Sequence, residues 1–511
     1  MKKEYKLLYA FAIIKFILPY LLQNSYYQPQ RDEFLYLAEA HHLAWGYMEV
    51  PPLLSVFAWV TNLFGTSMFW LKFWPSLFGT LTYLIVGRII LSFGGKVFAL
   101  FLGLLPFIFS AYLRVHFLFQ PNFLEIFFWT MIAFSILRFI QTKKNRYLYL
   151  FGVSAGLGML SKYSVAFFII SILGALLIKG NRKIFLNKHL YFASLIGFLI
   201  FLPNLLWQFR YHFPVIEHMR ELHQFQLQYV SPVGFLIDQL LMNLPVAFIW
   251  IAGLYFLIFK EQGKYRVFAW AYLLVILILL YFQGKNYYSL GVYPVLFAFG
   301  AIHLERFAVK HSNVWKFVFI AIPFALGIPL IPLYLPVYKP EKLAAYYKTK
   351  HIEKTGFLKW EDLRNHPLPQ DFGDMLGWNE MAKKTWKAYS SLSDEEKKNI
   401  FVFADNYGEA GAINYYGKKF KLPKAYSDNA SFLYWLPDSL HIDNLLLITD
   451  DKQEMQHDFL KDFSSVALVD SVTNPFAREH GSLIIILKGA NEKFNQMFKE
   501  KIAADKARFK R

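Results

Sequence analysis

The chain has 511 residues, 56% hydrophobic and 19% aromatic, with only 18% charged and no cysteine. A soluble chain carries about a quarter charged residues, so this composition excludes an ordinary soluble enzyme, and the missing cysteines exclude disulfides, thiolate metal centres and a cysteine nucleophile. The net charge of +18 is no nucleic-acid footprint: residues 1–336 hold 27 Lys and Arg against 11 Asp and Glu, while residues 337–511 hold 27 against 25, so the excess lies in the apolar part.

Eleven apolar spans are predicted, at about 7–23, 69–92, 97–113, 118–140, 147–161, 164–179, 190–207, 234–259, 267–282, 287–305 and 314–336. The first begins with Lys2, Lys3 and Lys6, but no small-residue cleavage site follows, so it is expected to stay as an anchor. With the N-terminus placed inside, alternate connections carry 19 basic residues, among them Arg138, Lys143, Lys144, Arg146, Lys179, Arg182 and Lys183. The opposite connections carry seven: Arg31, Lys72, Arg114, Lys162, Arg210, Arg220 and Lys285. Basic loops stay in the cytoplasm, which orients the chain in a cell (inner) membrane and puts everything after Pro336 on the extracytoplasmic side.

Two of the outer loops, about 24–68 and 208–233, are long and mix aromatics with charge, as interfacial segments do. The stretch 33–45 has helical apolar spacing at Phe34, Leu37, Ala38 and Trp45, and Pro51-Pro52 opens a second short apolar helix ending near Gly65. From 337 onward the composition changes. Runs at 399–404, 444–449, 464–470 and 481–488 read as strands, and segments 376–390, 452–463 and 409–416 as helices. The alternation predicts an α/β domain with a mainly parallel sheet, 337–511, behind a membrane domain of 1–336. A Rossmann site needs a Gly-rich phosphate turn; the turn at 405–411 offers only Gly408 and Gly411, so the domain is assigned no cofactor.

Acids are scarce in the membrane part, and Asp32 and Glu33 stand side by side just beyond the first span. Successive helical residues point in different directions, so one can act as a general base while its neighbour makes structural hydrogen bonds. Two solvated acids at a helix start would look the same. Lys162 lies beside Tyr163, and Lys285 close to Tyr287 and Tyr288, each at the outer end of a span. An ammonium there can pair with a lipid phosphate and a phenol can donate to it, although snorkelling lysines and an aromatic belt share this pattern. Glu125, just inside the fourth span, is costly to place there. Asp238 and Asn243 fit polar contacts within the bundle.

The run Gln28-Pro-Gln-Arg-Asp-Glu-Phe-Leu-Tyr-Leu-Ala-Glu-Ala, with Trp45-Gly-Tyr-Met-Glu-Val-Pro-Pro-Leu, resembles the first outer loop of bacterial glycosyltransferase family 39. These are GT-C membrane enzymes related to protein O-mannosyltransferases and lipid A aminoarabinose transferases. Gly156–Tyr163, Leu202–Trp207, Gly284–Tyr288, Tyr293-Pro294, Gly373–Trp378 and Asn406–Ile413 extend the resemblance over nearly the whole chain.

The resemblance implies a GT-C fold of about 11 transmembrane helices with an extracytoplasmic α/β domain. It implies an inverting transfer of sugar from a polyprenyl phosphate to a hydroxyl acceptor (protein, lipid A or glycan), with Asp32 as base and Glu33 its neighbour. Lys162, Tyr163, Arg220, Lys285, Tyr287 and Tyr288 are then expected at the donor phosphate, with Arg31 beside them. Glu49 and His218 match branch positions that can hold a divalent metal ion, and no other cofactor is expected. The chain departs from the pattern at Val50, where the aminoarabinose branch has Lys, and at Asn122, where many relatives have Asp. A flippase would share the span count, but it would be expected to show internal repeats, which the sequence lacks. A GT-C-like subunit without catalysis would be expected to have lost the acidic pair.

Overall fold

A computed structural model describes residues 2–178, 181–260 and 263–508. Lys179, counted above among the basic connections, lies outside them. Each of the eleven apolar stretches is helical, but the helices are unequal. Among the described residues, seven are long and apolar enough to cross a membrane: Lys3–Leu22, Met68–Ser92, Asn122–Thr142, Lys188–Arg210, Lys264–Tyr281, Asn286–His311 and Val314–Tyr334. Pro232–Leu241 and Leu244–Lys260 make an eighth if counted as one span, bent by 64° at their junction. The stretch predicted at 97–113 breaks after Val97–Leu104, because Pro106 ends the regular helix in a 3-10 turn, Leu105–Phe107. Arg146–Met159 and Val165–Leu177 are short helices of 14 and 13 residues.

The predicted helix at 33–45 is instead Arg31–Glu39. It stops early because the Tyr47 hydroxyl donates to the Glu39 and His42 carbonyls and accepts from the Ala44 amide, substituting for further helical bonds. The second interfacial helix forms as Leu53–Phe64.

The tail holds five strands, β1 (Ile400–Ala404), β2 (Ala425–Tyr426), β3 (Asn444–Thr449), β4 (Phe463–Ser471) and β5 (Leu483–Ala490), in the order β2-β1-β3-β5-β4. β1 pairs in parallel with β2 and β3, but β5 runs antiparallel to both β3 and β4. The sheet is therefore mixed, not mainly parallel. No helix separates β4 from β5, so the chain returns by a short excursion, which only an antiparallel pair permits. The predicted helix at 452–463 forms only the 3-10 turns Glu454–Gln456 and Asp458–Asp462. There the Asp451 carboxylate accepts from the Gln453 amide, a local bond that competes with a helical start.

The central strands are apolar on both faces, and alternation sends their side chains into two cores. Phe401, Phe403, Leu445, Leu447, Ile485 and Leu487 pack with Phe494 and Ile502 of the C-terminal helix Glu492–Arg508. Val402, Ala404, Leu446, Ile448, Ile484 and Ile486 share the other core with Phe34 and Leu37 of the first loop and with Leu71 and Phe123 of the membrane helices. One continuous core thus joins the sheet, the loop and the bundle.

Polar contacts fix the register of that junction. Gln28 donates its amide to the Met375 carbonyl at 2.9 Å and its side chain accepts from the Asn379 amide at 2.8 Å. Met48 donates its amide to Ser431 Oγ at 3.0 Å.

Candidate active site

The helix Arg31–Glu39 begins with a capping box: Gln30 Oε1 accepts from the Asp32 amide, and Glu33 Oε2 accepts from the Gln30 amide at 2.9 Å. This local geometry separates the two adjacent acids. Glu33 turns inward, 0% exposed, where Lys72 Nζ pairs with its Oε1 and the Phe119 amide donates to the same oxygen at 2.6 Å. Asp32 stays partly open. Tyr407 donates its hydroxyl to Asp32 Oδ1 at 2.7 Å, and Gln120 Nε2 donates to Oδ2 at 3.0 Å.

The other first-loop acids are also committed. Glu39 is sealed against Ser55, whose hydroxyl donates to it at 2.5 Å, and burial holds its carboxyl well above the usual range. Glu49 accepts from the Ser431 amide and hydroxyl, both at 2.7 Å, and burial also raises it. In both, burial disfavours the ionised form. Environment alone has sorted four acids into one ion-paired structural group, two raised carboxyls and one partly open carboxylate bonded on both oxygens.

Cations and phenols gather near Asp32. Its charge reaches Lys285 and Tyr287, and Glu361 and Asp371 of the tail act on Lys285 as well. Among the described residues Lys285 has no hydrogen-bond or ion-pair partner, and burial lowers the pKa of its ammonium. Lys162 is otherwise engaged: its Nζ donates to Asn122 Oδ1 at 2.7 Å and Glu125 Oε2 at 2.8 Å, and sits 4.1 Å over the Tyr288 ring. Ser164 donates to the second Glu125 oxygen at 2.5 Å, so the acid inside the span is fully satisfied. Asn122 fills its place in the pattern as an acceptor for Lys162 instead of as an acid.

Several expected site residues are placed elsewhere. Tyr163 donates to Asn204 Oδ1 at 3.1 Å and accepts from Gln208, tying it to the helix Lys188–Arg210. Arg220 pairs with Glu217 on its own helix and is 61% exposed. Arg31 lies over the Tyr407 ring at 4.5 Å and 3.8 Å from Glu479, so its charge is spent within the protein. The metal pair is not assembled either. Glu49 gives both oxygens to Ser431, and His218, whose pKa burial and then the Lys285 ammonium push down to about 4, has beside it a positive charge that opposes a second cation. The residues present do not fit a divalent ion. Among the described residues, three ligand atoms come together only at Asp451, Glu454 and His457 of the tail, where His457 and Asp451 are hydrogen-bonded at 2.9 Å. Asp238 accepts from Asn286 Nδ2 at 3.0 Å, as a bundle contact.

Sequence reading counted Lys72 only as an outer basic residue and missed Gln120, Ser431 and Tyr407. Gln120 directly precedes the Pro121-Asn122 pair and Tyr407 lies inside the Asn406–Ile413 run, so both stood next to or within marked segments without a role. Nothing local marks Ser431.

An open pocket of about 340 Å³ lies between Arg114 and the tail, lined by Lys359, Trp360, Glu361, Gln370 and Asp371 among others. Arg114 pairs with Asp371 at 2.6 Å, and Glu361 accepts from Gln226 of the second long loop at 3.0 Å.

The family described as dolichyl-phosphate-mannose-protein mannosyltransferase matches residues 49–207. That interval begins at Glu49, and so leaves out Asp32 and Glu33. No curated protein matches the chain. Over its length the fold is similar to ArnT from Cupriavidus metallidurans in the apo state, with a TM-score of 0.62 at 10% identity, covering 94% of this chain and 97% of that one.

The fold is GT-C.

The same protein bound to undecaprenyl phosphate gives a TM-score of 0.58 at 11% identity, over 94% and 97% of the two chains. The archaeal oligosaccharyltransferase AglB from Archaeoglobus fulgidus, in complex with an inhibitory peptide and a dolichol-phosphate, gives 0.50 at 14% identity, over 88% of this chain and 70% of that one. In this GT-C chain the C-terminal mixed-sheet unit sits directly on the loop that carries Asp32.

Proposed function

We propose that this chain is an integral-membrane glycosyltransferase that moves a sugar from a polyprenyl-phosphate donor to a hydroxyl acceptor. Asp32 is the base. The observation that carries this reading is the sorting of the first-loop acids: Glu33 is ion-paired with Lys72, Glu39 is sealed against Ser55 and Glu49 gives both oxygens to Ser431, while Asp32 is partly open, has no ion pair among the described residues, and has Lys285 and Tyr287 within its field. The similarity to a fold that binds undecaprenyl phosphate in ArnT supports a polyprenyl donor.

The chemistry needs one carboxylate. The acceptor oxygen attacks the anomeric carbon as its proton passes to Asp32, and the bond from that carbon to the phosphate oxygen breaks. The leaving phosphate is stable as an anion, so no strong general acid is required behind it. Lys285, unpaired and partly buried, meets that anion. Tyr287 and Tyr288 line the same side as phenol donors. A single displacement inverts the anomeric centre, unlike the double displacement of a retaining glycosidase. Glu33, spent on Lys72, orients the helix that carries Asp32 and takes no part in proton transfer.

Orientation by the basic loops places this transfer on the extracytoplasmic face of the cell membrane, and residues 337–511 on that side as a second domain. The pocket between Arg114 and the tail, whose lining residue Glu361 is held by Gln226 of the second long loop, is then the approach for the acceptor. To test the assignment, Asp32→Asn is purified in lipid and assayed for sugar transfer from a polyprenyl-phosphate sugar. Loss of turnover with undecaprenyl phosphate binding preserved is expected; retained turnover removes Asp32 from its role.

A further inference from the structure

We propose that Tyr407, carried by the C-terminal unit, is a positioning residue of the transfer site that holds the Asp32 carboxylate in its proton-accepting orientation. This rests on the reading of Asp32 as the base, and it makes the tail a working part of the catalytic centre as well as an acceptor guide.

The direction of the hydrogen bonds carries the inference. Arg31 Nη1 lies 3.4 Å from the Tyr407 hydroxyl oxygen. A guanidinium has donors and no acceptor, so the phenol can only accept from Arg31. Its own proton is then aimed at the one acceptor it touches among the described residues, Asp32 Oδ1, 2.7 Å away. Arg31 also lies over the ring face, at 4.5 Å from its centroid, and so fixes the plane of the phenol as well as its hydroxyl. Glu479, 3% exposed and 3.8 Å from Arg31 Nε, anchors the guanidinium from the segment between β4 and β5. Burial keeps the Tyr407 phenol well above its ordinary titration range, so it remains a donor.

The backbone is built for this approach. A Cβ on Gly408 would meet Arg31 Cγ at 2.6 Å, and one on Gly411 would meet Phe34 Cβ at 2.7 Å and its backbone at 3.2 Å. Only glycine at these positions lets the helix Tyr407–Tyr416 lie close enough to Arg31–Glu39 for the phenol to reach Asp32. With Gln120 on Oδ2, each carboxylate oxygen has one donor and keeps a second lone pair for the acceptor hydroxyl. The carboxylate is thus immobilised without being blocked. Misplacing a reacting group by about 1 Å is enough to lose roughly a hundredfold in rate.

The test uses the full-length protein in lipid. Tyr407→Phe is expected to lower kcat about ten- to a hundredfold and to leave binding of undecaprenyl phosphate unchanged. In an Asp32→Asn background the same substitution is expected to add no further loss to the residual rate, since the group it positions is already gone. General structural damage would multiply the two losses. Glu479→Gln keeps the phenol but loosens Arg31, and is expected to lose kcat by a smaller factor with binding intact. Should Tyr407→Phe not fold, that variant decides. Wild-type kcat in either variant, or multiplying losses in the double mutant, overturns the role of Tyr407 while leaving Asp32 as base; turnover by Asp32→Asn alone overturns the underlying reading instead.

Discussion

Lys72 and Glu33 form an ion pair wholly withdrawn from solvent, with Lys72 1% and Glu33 0% exposed. One partner comes from the helix Met68–Ser92 and the other from the loop helix bearing Asp32, so the pair fastens that loop to the bundle. Removing one member strands a buried charge. Lys72→Met is expected to destabilise the protein by about 3–5 kcal/mol, read as a lower thermal midpoint in detergent. Combining it with Glu33→Gln should restore most of that loss, because no uncompensated charge remains. A single variant as stable as the parent would show the pair to be dispensable.

Lys285 has no hydrogen-bond or ion-pair partner among the described residues, so its removal should weaken donor binding and spare stability. Lys285→Ala is expected to raise the Kd for undecaprenyl phosphate about ten- to a hundredfold, in line with roughly 1.5–3 kcal/mol for a hydrogen bond to a charged group. Burial lowers the pKa of the ammonium. It therefore loses its proton at a lower pH than an ordinary lysine, and donor affinity should fall earlier on the alkaline side. Lys285→Arg keeps its charge there and should flatten that fall. A titration of binding against pH for the three proteins checks both.

Asp374 links the two units, accepting from Gln30 Nε2 at 3.2 Å and lying 3.4 Å from Arg478 Nη1. Burial pushes its pKa up from 3.8 to about 7, against the opposing pull of Arg478 and Arg31. A carboxyl raised on folding binds more protons when folded than when unfolded, so its stabilising contribution is full below about pH 4 and declines as pH rises through 7. Asp374→Asn removes the titration. Its thermal midpoint should change less than the parent's between about pH 4 and 7, and an unchanged slope would assign the pH dependence elsewhere.

Gly411 packs tightly against Phe34 of the loop. Gly411→Val is expected to push the helix Tyr407–Tyr416 off Phe34 and cost about 1–3 kcal/mol, as overpacking of a tight contact does. Transfer activity should fall together with stability. Protease sensitivity around 395–425 and turnover, measured on one preparation, check this; a rise in sensitivity without loss of turnover would show that the tail can part from the loop harmlessly.

The sequence carried the strong periodic signals. Apolar runs located helices in all eleven stretches, of which seven, or eight with the bent pair, are long enough to span among the described residues, and the short β-branched and leucine-rich runs located β1, β3, β4 and β5 nearly to the residue. Where local chemistry competed, the reading slipped. Tyr47 and Pro106 ended helices that spacing alone would have continued, and the Asp451 side chain helped turn an expected helix into two short 3-10 turns. The two-residue strand β2 was too short to leave any pattern.

The types of residue at the site were legible for the same reason: ionisable groups are rare in an apolar chain, so Asp32, Glu33, Lys162 and Lys285 stood out. Their assignments were not. That Glu33 would be sealed on Lys72, Glu49 held by Ser431 and Lys162 occupied by Glu125 depends on partners between 37 and 382 positions apart. The sheet direction of β5 and the arrival of Tyr407 at Asp32 across 375 positions were likewise decided only when the chain folded. Composition and periodicity act through transfer to lipid and through the pitch of a helix or strand, which each segment expresses alone. The protonation and partners of a carboxylate are set by whatever charges and donors surround it in three dimensions, and those come from segments with no local means of signalling one another.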